Sequence, residues 1–535
     1  MKKITLLLAT TFFIYSCHND LDQVPIDPDL FTEVQVYENS DQALGALTKV
    51  YASLALTGQI GPAGDPDIDP SLIDEGFSQY TRILFTLNEI TTDNAVVGWG
   101  DPGLPNIHEM SWDVNNPWTQ GMYFRLAQVV SFSNSFIENA QLLSETDSEV
   151  KAYIAEARFL RAYAYLQLMD LYNNVPLVTK VTTELPIQSS PEEIFSFIES
   201  ELKEIDSDLK DPKSNQYGRV DKAAAWSLLS RLYLNAPIYI NADKSIDVIE
   251  YSEKVINSGY TINTSDINQN GSAYDELFLA DNNINGAQNE FIFVVQFDGI
   301  NSQSWGGSTF MVHAPIGGSM NPADFGVNGG WAGLRTTKGL VDKFSYSVTE
   351  SDSNGAPVSW SDSRAMFYTD GQNYEIEKIP KFTEGYAVTK FKNITANGTP
   401  GSDSSGDHVD LDLPIIRLAE VYLNYVEAVL NNGGGSLQKA TELINTLRNR
   451  SGAPLIISSE LTPEFILDER SRELYWEGHR RTDLIRHGKY VTSDYLWPFK
   501  AGVAQGKATE PYRKIFPLPE NVLLVNKNLT QNPNY

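Results

Sequence analysis

Paired helical segments are the feature of this 535-residue sequence that most constrains its fold. Apolar residues recur at three- and four-residue spacing in segments of roughly 15–23 residues, and short loops join neighbouring segments. Small residues such as Ala157 and Ala224 stand among aromatic ones, which allows two helices to pack closely. The pattern is typical of tetratricopeptide-like helix hairpins, although the full repeat signature is absent and generic helix packing would produce a similar pattern.

The predicted helices lie on both sides of an irregular middle region. Periodicity and turn residues place them at 41–56, 122–143, 150–172, 191–209, 221–236, 245–259, 413–435, 436–452 and 463–488. The last is predicted to run unbroken from its cap at Thr462 to Gly488. Within it, Glu477 is placed to form helical ion pairs with Arg480 and Arg481, so we expect a structural role for these charges.

Residues 260–412 differ in composition, because glycine, serine and asparagine are frequent there. One strand is predicted in the string EFIFVVQFDG, and a long open stretch follows it. A long irregular region inside a helical protein is usually either functional or disordered. Its content of tryptophan, phenylalanine and methionine argues against disorder.

The N-terminus reads MKKITLLLATTFFIYSCHND, with two lysines before an apolar run that is too short to cross a bilayer. The only cysteine, Cys17, follows the letters IYS, and the string resembles a bacterial lipobox. We therefore predict a lipoprotein signal peptide at 1–16, lipidation of Cys17, and a lipidated N-terminus with its tether at 17–40. The alternative is a chance cysteine in an ordinary signal peptide.

Charge and missing motifs exclude several function classes. The net charge is −29, which argues against nucleic-acid binding. The six histidines are not in metalloprotease spacing, and neither a phosphate loop nor a nucleophile elbow is present. We expect no cofactor, although residues 281–290 (DNNINGAQNE) are rich enough in oxygen ligands to suggest calcium. The 69 acidic residues leave a glycosidase carboxylate pair open.

Three tryptophans lie in glycine-rich loops: Trp99 in VVGWGDPG, Trp305 in SQSWGGST and Trp331 in NGGWAGL. Neighbouring glycines leave an indole face uncrowded, and a flat exposed ring can stack on the C–H face of a sugar while nearby polar groups bind its hydroxyls. Core packing is the alternative for each tryptophan taken singly. The three together favour a carbohydrate platform.

The C-terminal string DERSRELYWEGHRRTDLIRHGKY resembles the signature of the SusD/RagB family of surface nutrient-binding lipoproteins of Bacteroidetes. The segments LNEITTDN, YGRVDKAAAWSLLSRLYLNA and FPLPENVLLVNKNLTQNPNY also fit, so the resemblance covers nearly the whole chain. It implies a mainly α fold, in which tetratricopeptide-like helix hairpins support a large irregular, loop-rich region with few short strands. It also implies one domain over 41–535, with hairpins at about 41–259 and 413–488 and ligand-binding loops at about 260–412 and 90–118.

Within the family, the chain looks closest to the starch-binding member. The residues that carry over from that member's carbohydrate site are Trp99, Trp305, Trp331, Arg82 and Asp101. Val97 stands where that member has a further tryptophan, and Asp101 is only the nearest candidate for its polar asparagine. An α-glucan is therefore expected as the ligand, and other neutral glucans, including β-1,3-linked ones, stay open.

The resemblance implies binding rather than catalysis. A family member of this kind is lipid-anchored at the outer membrane, captures oligosaccharide or polysaccharide, and delivers it to a SusC-like TonB-dependent transporter. Asp20 and Asp22 resemble the export signal of surface lipoproteins. The alternatives are an unrecognised glycosidase, a structural or adhesive lipoprotein that docks a protein, and a family member whose cargo is a peptide or a non-glucan sugar.

Overall fold

The computed structural model describes residues 36–431 and 433–535. The predicted signal peptide, the lipidation site Cys17 and most of the tether lie outside the described residues. The helices are α1 Ser40–Ala52, α2 Tyr80–Asn88, α3 Leu104–His108, α4 Pro117–Ser144, α5 Ser148–Tyr172, α6 Pro191–Glu204, α7 Lys222–Leu234, α8 Ala236–Tyr239, α9 Ser245–Ile256, α10 Gly307–His313, α11 Lys338–Val341, α12 Leu418–Leu430, α13 Leu437–Arg450, α14 Pro463–Leu474, α15 Arg480–Arg486 and α16 Glu520–Val525.

The strands are short and pair antiparallel in twos. They are β1 Val96–Val97, β2 Val175–Pro176, β3 Gln188–Ser189, β4 Phe291–Val295, β5 Leu334–Arg335, β6 Val348–Ser351, β7 Pro357–Trp360, β8 Phe367–Tyr368, β9 Ala387–Val388 and β10 Leu413–Arg417. The pairs are β1 with β5, β2 with β3, β4 with β10, β6 with β7, and β8 with β9. The expectation of few short strands is confirmed.

Helix-on-helix packing forms the main body. Helix α4 packs on α5, α5 on α6, α7 on α9, and α9 and α13 on α12. Caps fix where these helices begin: the Asn116 side chain accepts from the backbone N–H groups of Trp118 and Thr119, and Ser190 forms a capping box with Glu193. The mainly α, hairpin-built architecture predicted from apolar periodicity is confirmed.

One predicted helix was wrong at its start. Residues 413–417 of the predicted helix 413–435 form strand β10, and the helix α12 begins only at Leu418. All five strand residues are buried, and the strand pairs with the equally buried β4. A short, continuously apolar run fits a buried strand as well as a helix, and the tertiary partner decides between them.

The predicted helix 463–488 is broken in two. Helix α14 ends at Leu474, and α15 begins at Arg480. Between them, Trp476 and Gly478 adopt left-handed backbone conformations with φ of 67° and 82°. Trp476 is held there by burial and by its indole N–H, which donates to the Asn94 carbonyl oxygen at 3.0 Å.

The break redirects the charges of this segment, so the predicted pairing of Glu477 with Arg480 and Arg481 was wrong. Glu477 instead pairs with Lys390 and Arg417, both at 2.7 Å. The pairs lie in the protein interior, where each partner compensates the desolvation of the other. The expected structural role of this segment stands, with different partners.

A buried network of ion pairs joins α14 to the middle region. Glu473 contacts Arg417 at 2.6 Å and Arg364 at 3.1 Å, and it also pairs with Arg450. Burial alone would raise the pKa of Glu473, but the three guanidinium groups hold it well below its usual value. Glu290, directly before β4, pairs with Arg417 and Arg450 as well.

A second buried pair reaches the segment ahead of β1. Arg480 contacts Asp93 at 2.7 Å, and Lys343 contacts the same carboxylate at 2.7 Å. Burial opposes ionisation of Asp93, yet the two cations hold its pKa far below the usual range. The C-terminal signature thus fixes the base of the loop that carries Trp99. Among the described residues, no helix is long and apolar enough to cross a membrane.

Candidate functional site

Strand pairing brings two of the tryptophan loops together. Val96 pairs with Arg335 and Val97 with Leu334 across β1 and β5, and the Gly98 N–H donates to the Gly333 carbonyl oxygen at 3.0 Å. Trp99 follows β1 and Trp331 precedes β5. Because the strands are antiparallel, both tryptophans lie at the same end of this short ladder, one on each strand's loop.

The three predicted tryptophans form an arc with Trp331 at its centre. The ring centroids of Trp99 and Trp331 are 6.4 Å apart at 51°, and those of Trp305 and Trp331 are 6.4 Å apart at 55°. The Trp99 indole N–H donates to the Trp331 carbonyl oxygen at 3.1 Å. All three side chains are half-buried rather than sequestered in the core, so a curved row of indoles remains accessible to solvent.

Trp305 is placed by the start of helix α10. The Gly307 N–H donates to the Gln79 side-chain oxygen at 2.9 Å. A Cβ at Gly306 would lie 2.2 Å from the Gln79 Cβ, so only glycine permits this close approach. The contact anchors the third loop to the residue that also caps α2, which carries Arg82.

Arg82 lies beneath the arc. Its side chain is 4% exposed, and its guanidinium carbon is 5.9 Å from the centroids of both Trp99 and Trp331. Phe77 and Phe310 flank it at 4.4 Å and 4.6 Å. Nη1 donates to the Trp305 carbonyl oxygen at 3.0 Å, so one cation touches all three tryptophan loops.

Burial lowers the pKa of Arg82 to about 9, and the charges of Asp101, Asp74 and Glu75 act in the opposite direction. The arginine therefore stays charged at neutral pH, with carboxylates near it. Asp101, predicted as a site residue, is half-buried near this guanidinium. Asp74 is exposed and was missed by sequence reasoning, because acidic residues are too common in the chain for one to stand out.

Val97 is 4% exposed and lies within β1, so its side chain belongs to the core and not to the arc. Of these two neighbouring positions, only Trp99 therefore contributes a side chain to the accessible surface of the arc.

Two histidines that sequence reasoning passed over pack against the arc. The His313 ring stacks on Trp331 with centroids 5.1 Å apart at 18°, and the His408 ring contacts Trp305 at 4.6 Å and 44°. Both histidines are buried. The sequence contains no motif that identifies these histidines. They are 95 residues apart, and only the folded structure brings both of them to the arc.

The possible calcium site at 281–290 stays a prediction. Within this stretch, the Asp281 side chain accepts from the Ala396 N–H at 3.0 Å and the Asn285 amide donates to the Glu276 carbonyl oxygen at 3.0 Å. Over residues 36–431 and 433–535, no group of three or more His, Cys, Asp and Glu side chains is arranged to hold a metal ion.

Comparison with known sequences matches two family models. The model described as SusD family matches residues 362–535, and the one described as "Starch-binding associating with outer membrane" matches residues 83–234. The starch-binding protein SusD of Bacteroides thetaiotaomicron is 33% identical, and the alignment covers 98% of this chain and 96% of that protein. A SusD-like protein of Bacteroides ovatus is 23% identical, covering 93% and 84%.

Solved structures share the fold. Surface glycan-binding protein A from Bacteroides thetaiotaomicron, solved in complex with laminarihexaose, matches with a TM-score of 0.70 at 19% identity, covering 93% of this chain and all of that one. A laminarin-binding SusD-like protein matches with a TM-score of 0.68 at 22% identity and similar coverage. With these folds and with 33% identity to SusD over nearly its full length, the chain belongs to the SusD family.

Proposed function

We propose that this protein is a surface glycan-binding protein that captures a neutral oligo- or polysaccharide, a starch-like α-glucan in the first instance, and does not hydrolyse it. The observation that supports this most strongly is the convergence of three half-buried tryptophans into one arc, with Trp99 more than 200 residues before the other two in sequence. Large aromatic side chains are normally buried, and a cluster that stays accessible needs a binding explanation.

The chemistry of the arc suits a sugar. Each indole offers an apolar face for the C–H groups of a pyranose ring, while Asp74 and Asp101, whose charges act on Arg82 beneath the arc, can accept hydrogen bonds from its hydroxyls. Tilts of 51° and 55° between neighbouring rings give a curved surface, which favours a curved glycan chain such as an α-glucan. The identity to a starch-binding relative supports the same choice.

A β-1,3-glucan is the second candidate. The first loop contributes one tryptophan because Val97 is in the core, so the platform is shorter at that end than the resemblance implied. A shorter arc selects less strongly for the curvature of the bound glycan chain, so it would accept other neutral glucans.

The proposal includes the place of action. Lipidation at Cys17 would hold the protein at the outer membrane, where it would deliver captured glycan to a SusC-like TonB-dependent transporter. A Cys17→Ala variant expressed in a Bacteroides host should move from the outer-membrane fraction to a soluble fraction. Retention of that variant in the membrane would contradict a lipid anchor at this residue.

Affinity gel electrophoresis tests the binding proposal. The chain from Asp20 onward is run in gels that contain starch, amylopectin, dextran, laminarin or levan, and the same samples are assayed for released reducing sugar. Retardation by amylopectin without sugar release supports α-glucan capture. Retardation by laminarin alone selects the β-1,3-glucan, release of reducing ends identifies an enzyme, and no retardation by any polysaccharide contradicts the glycan proposal.

A further inference from the structure

We propose that His313 and His408 are positioning residues that hold the indoles of Trp331 and Trp305 from behind, so that one face of each indole is kept for a sugar ring. The inference rests on the proposed glycan-binding function and assigns the residues that fix the orientation of its indoles. His313 covers one face of Trp331 and His408 packs at a tilt against Trp305, so the indole surface that the histidines leave open can meet a ligand.

His313 contacts the Trp331 segment in three ways. Its ring lies nearly parallel to the indole, at 18°. Its backbone carbonyl oxygen accepts from the Trp331 N–H at 2.9 Å. Its Nδ1 lies 2.8 Å from the Gly329 carbonyl oxygen, which can only accept, so Nδ1 carries the proton. Ring orientation and loop backbone are therefore fixed together.

His408 supports Trp305 through a short acidic loop. The ring centroids of His408 and Trp305 are 4.6 Å apart, and the backbone N–H of His408 donates to the Asp403 carboxylate at 2.9 Å. The next acidic side chain, Asp407, accepts from the Asn328 side-chain amide at 2.6 Å. Since Asn328 lies three residues before Trp331, the loop 403–408 connects the supports of Trp305 and Trp331.

A half-buried tryptophan needs such support because a glycine-rich loop leaves its rotamer free. Trp331 follows Gly329 and Gly330, and Trp305 precedes Gly306. A stacked aromatic contact stabilises a ring beyond the burial of its area, which is enough to select one rotamer over others. Burial lowers the pKa of both histidines despite the facing carboxylates of Asp403 and Asp407, which keeps the rings neutral and suited to stacking.

Paired substitutions separate support from general stability. His313→Ala removes the ring, and His313→Phe restores a stacking ring without the Nδ1 donor; the same pair is made at His408. The matched control is His487→Ala, since the His487 side chain is also largely buried and its Nε2 lies 3.0 Å from a Glu427 carboxylate oxygen at the end of helix α15, outside the arc and its loops.

Affinity is measured by calorimetry with maltohexaose and laminarihexaose, and the thermal unfolding midpoint is measured for every variant. The His313→Ala and His408→Ala variants should bind about five- to tenfold more weakly, the phenylalanine variants should recover to within about threefold of wild type, and His487→Ala should bind as wild type does. The proposal would be overturned if the alanine variants bound the glycan with wild-type affinity. It would also be overturned if the phenylalanine variants lost as much affinity as the alanine variants and the loss followed the fall in the unfolding midpoint.

A ligand-free readout distinguishes this proposal from the glycan proposal. In ¹H–¹⁵N spectra, the indole N–H signal of Trp331, assigned with Trp331→Phe, should shift or broaden in His313→Ala. The Trp112 indole, which donates to the Tyr535 hydroxyl at 2.7 Å, should stay unchanged. If neither hexaose binds wild type but the Trp331 signal responds, the glycan proposal fails while the positioning role stands. An unchanged Trp331 signal would refute the positioning role.

Discussion

Gly333→Ala should disrupt the arc although it replaces none of the three tryptophans. A Cβ built at Gly333 would lie 2.0 Å from Cε2, 2.2 Å from Cζ2 and 2.5 Å from Nε1 of Trp99. Gly333 is not among the residues with a left-handed backbone, so alanine fits its conformation and only the indole contact is affected.

The size of the effect follows from these distances. Carbon atoms in contact stay about 3.5 Å or more apart, so the Trp99 ring must move by at least about 1.5 Å. Three atoms of the Trp99 indole overlap the new methyl group, so the ring has to leave its present position. We expect overpacking to cost about 1–3 kcal/mol of unfolding free energy. Loss of one stacking ring, worth about 1.4 kcal/mol, lowers glycan affinity about tenfold.

Gly100→Ala is the matched control, because it adds the same methyl group one residue after Trp99 and a Cβ there meets no atom within 4 Å. Both variants are titrated with the glycan that retards wild type, and chemical unfolding reports stability. Gly100→Ala should bind within twofold of wild type. The reasoning is refuted if Gly333→Ala keeps wild-type affinity, or if Gly100→Ala loses as much.

Two further predictions concern stability. Burial raises the pKa of Asp412 to about 7, so its contribution to stability is present below the ordinary aspartate pKa of about 3.9 and is lost as pH rises towards 7. Asp412→Asn can still form hydrogen bonds with the Phe297 N–H and the Tyr217 hydroxyl. In urea unfolding, this variant should lack the decline and its unfolding free energy at pH 8 should rise by about 2 kcal/mol. An unchanged pH profile would contradict this. Glu473→Gln should lose about 3–5 kcal/mol at pH 7, because three buried arginines lose a charged partner; a loss below 1 kcal/mol would show that the network relaxes.

The helical scaffold could be predicted because its signals are local. Helices α4 to α7 begin at side-chain caps and carry apolar residues at helical spacing, so each can be identified from about 20 neighbouring residues. The two errors arose where a distant partner decides the conformation. Strand β10 needs β4 beside it, and the break at Trp476 needs the Asn94 carbonyl oxygen and the cations that Glu477 reaches.

The site was predictable in part for the same reason. Glycine-flanked tryptophans are visible in the sequence itself, whereas the packing of Arg82 beneath the arc and the histidine contacts behind it exist only after β1 pairs with β5. Neither Phe310 nor His313 carries a local signal, since both look like ordinary residues of a short apolar helix. Convergence of distant loops is a tertiary property that a single sequence does not encode in its spacing.

The most direct test of the central claim is a calorimetric comparison of Trp331→Ala with Trp226→Ala. Both remove a half-buried indole, but Trp226 lies on helix α7 and donates its N–H to Asp206, outside the arc. Each variant is titrated with maltohexaose and with laminarihexaose. The account predicts that Trp331→Ala abolishes measurable binding of the hexaose that wild type binds, while Trp226→Ala retains it. Equal binding by Trp331→Ala and wild type would contradict the account.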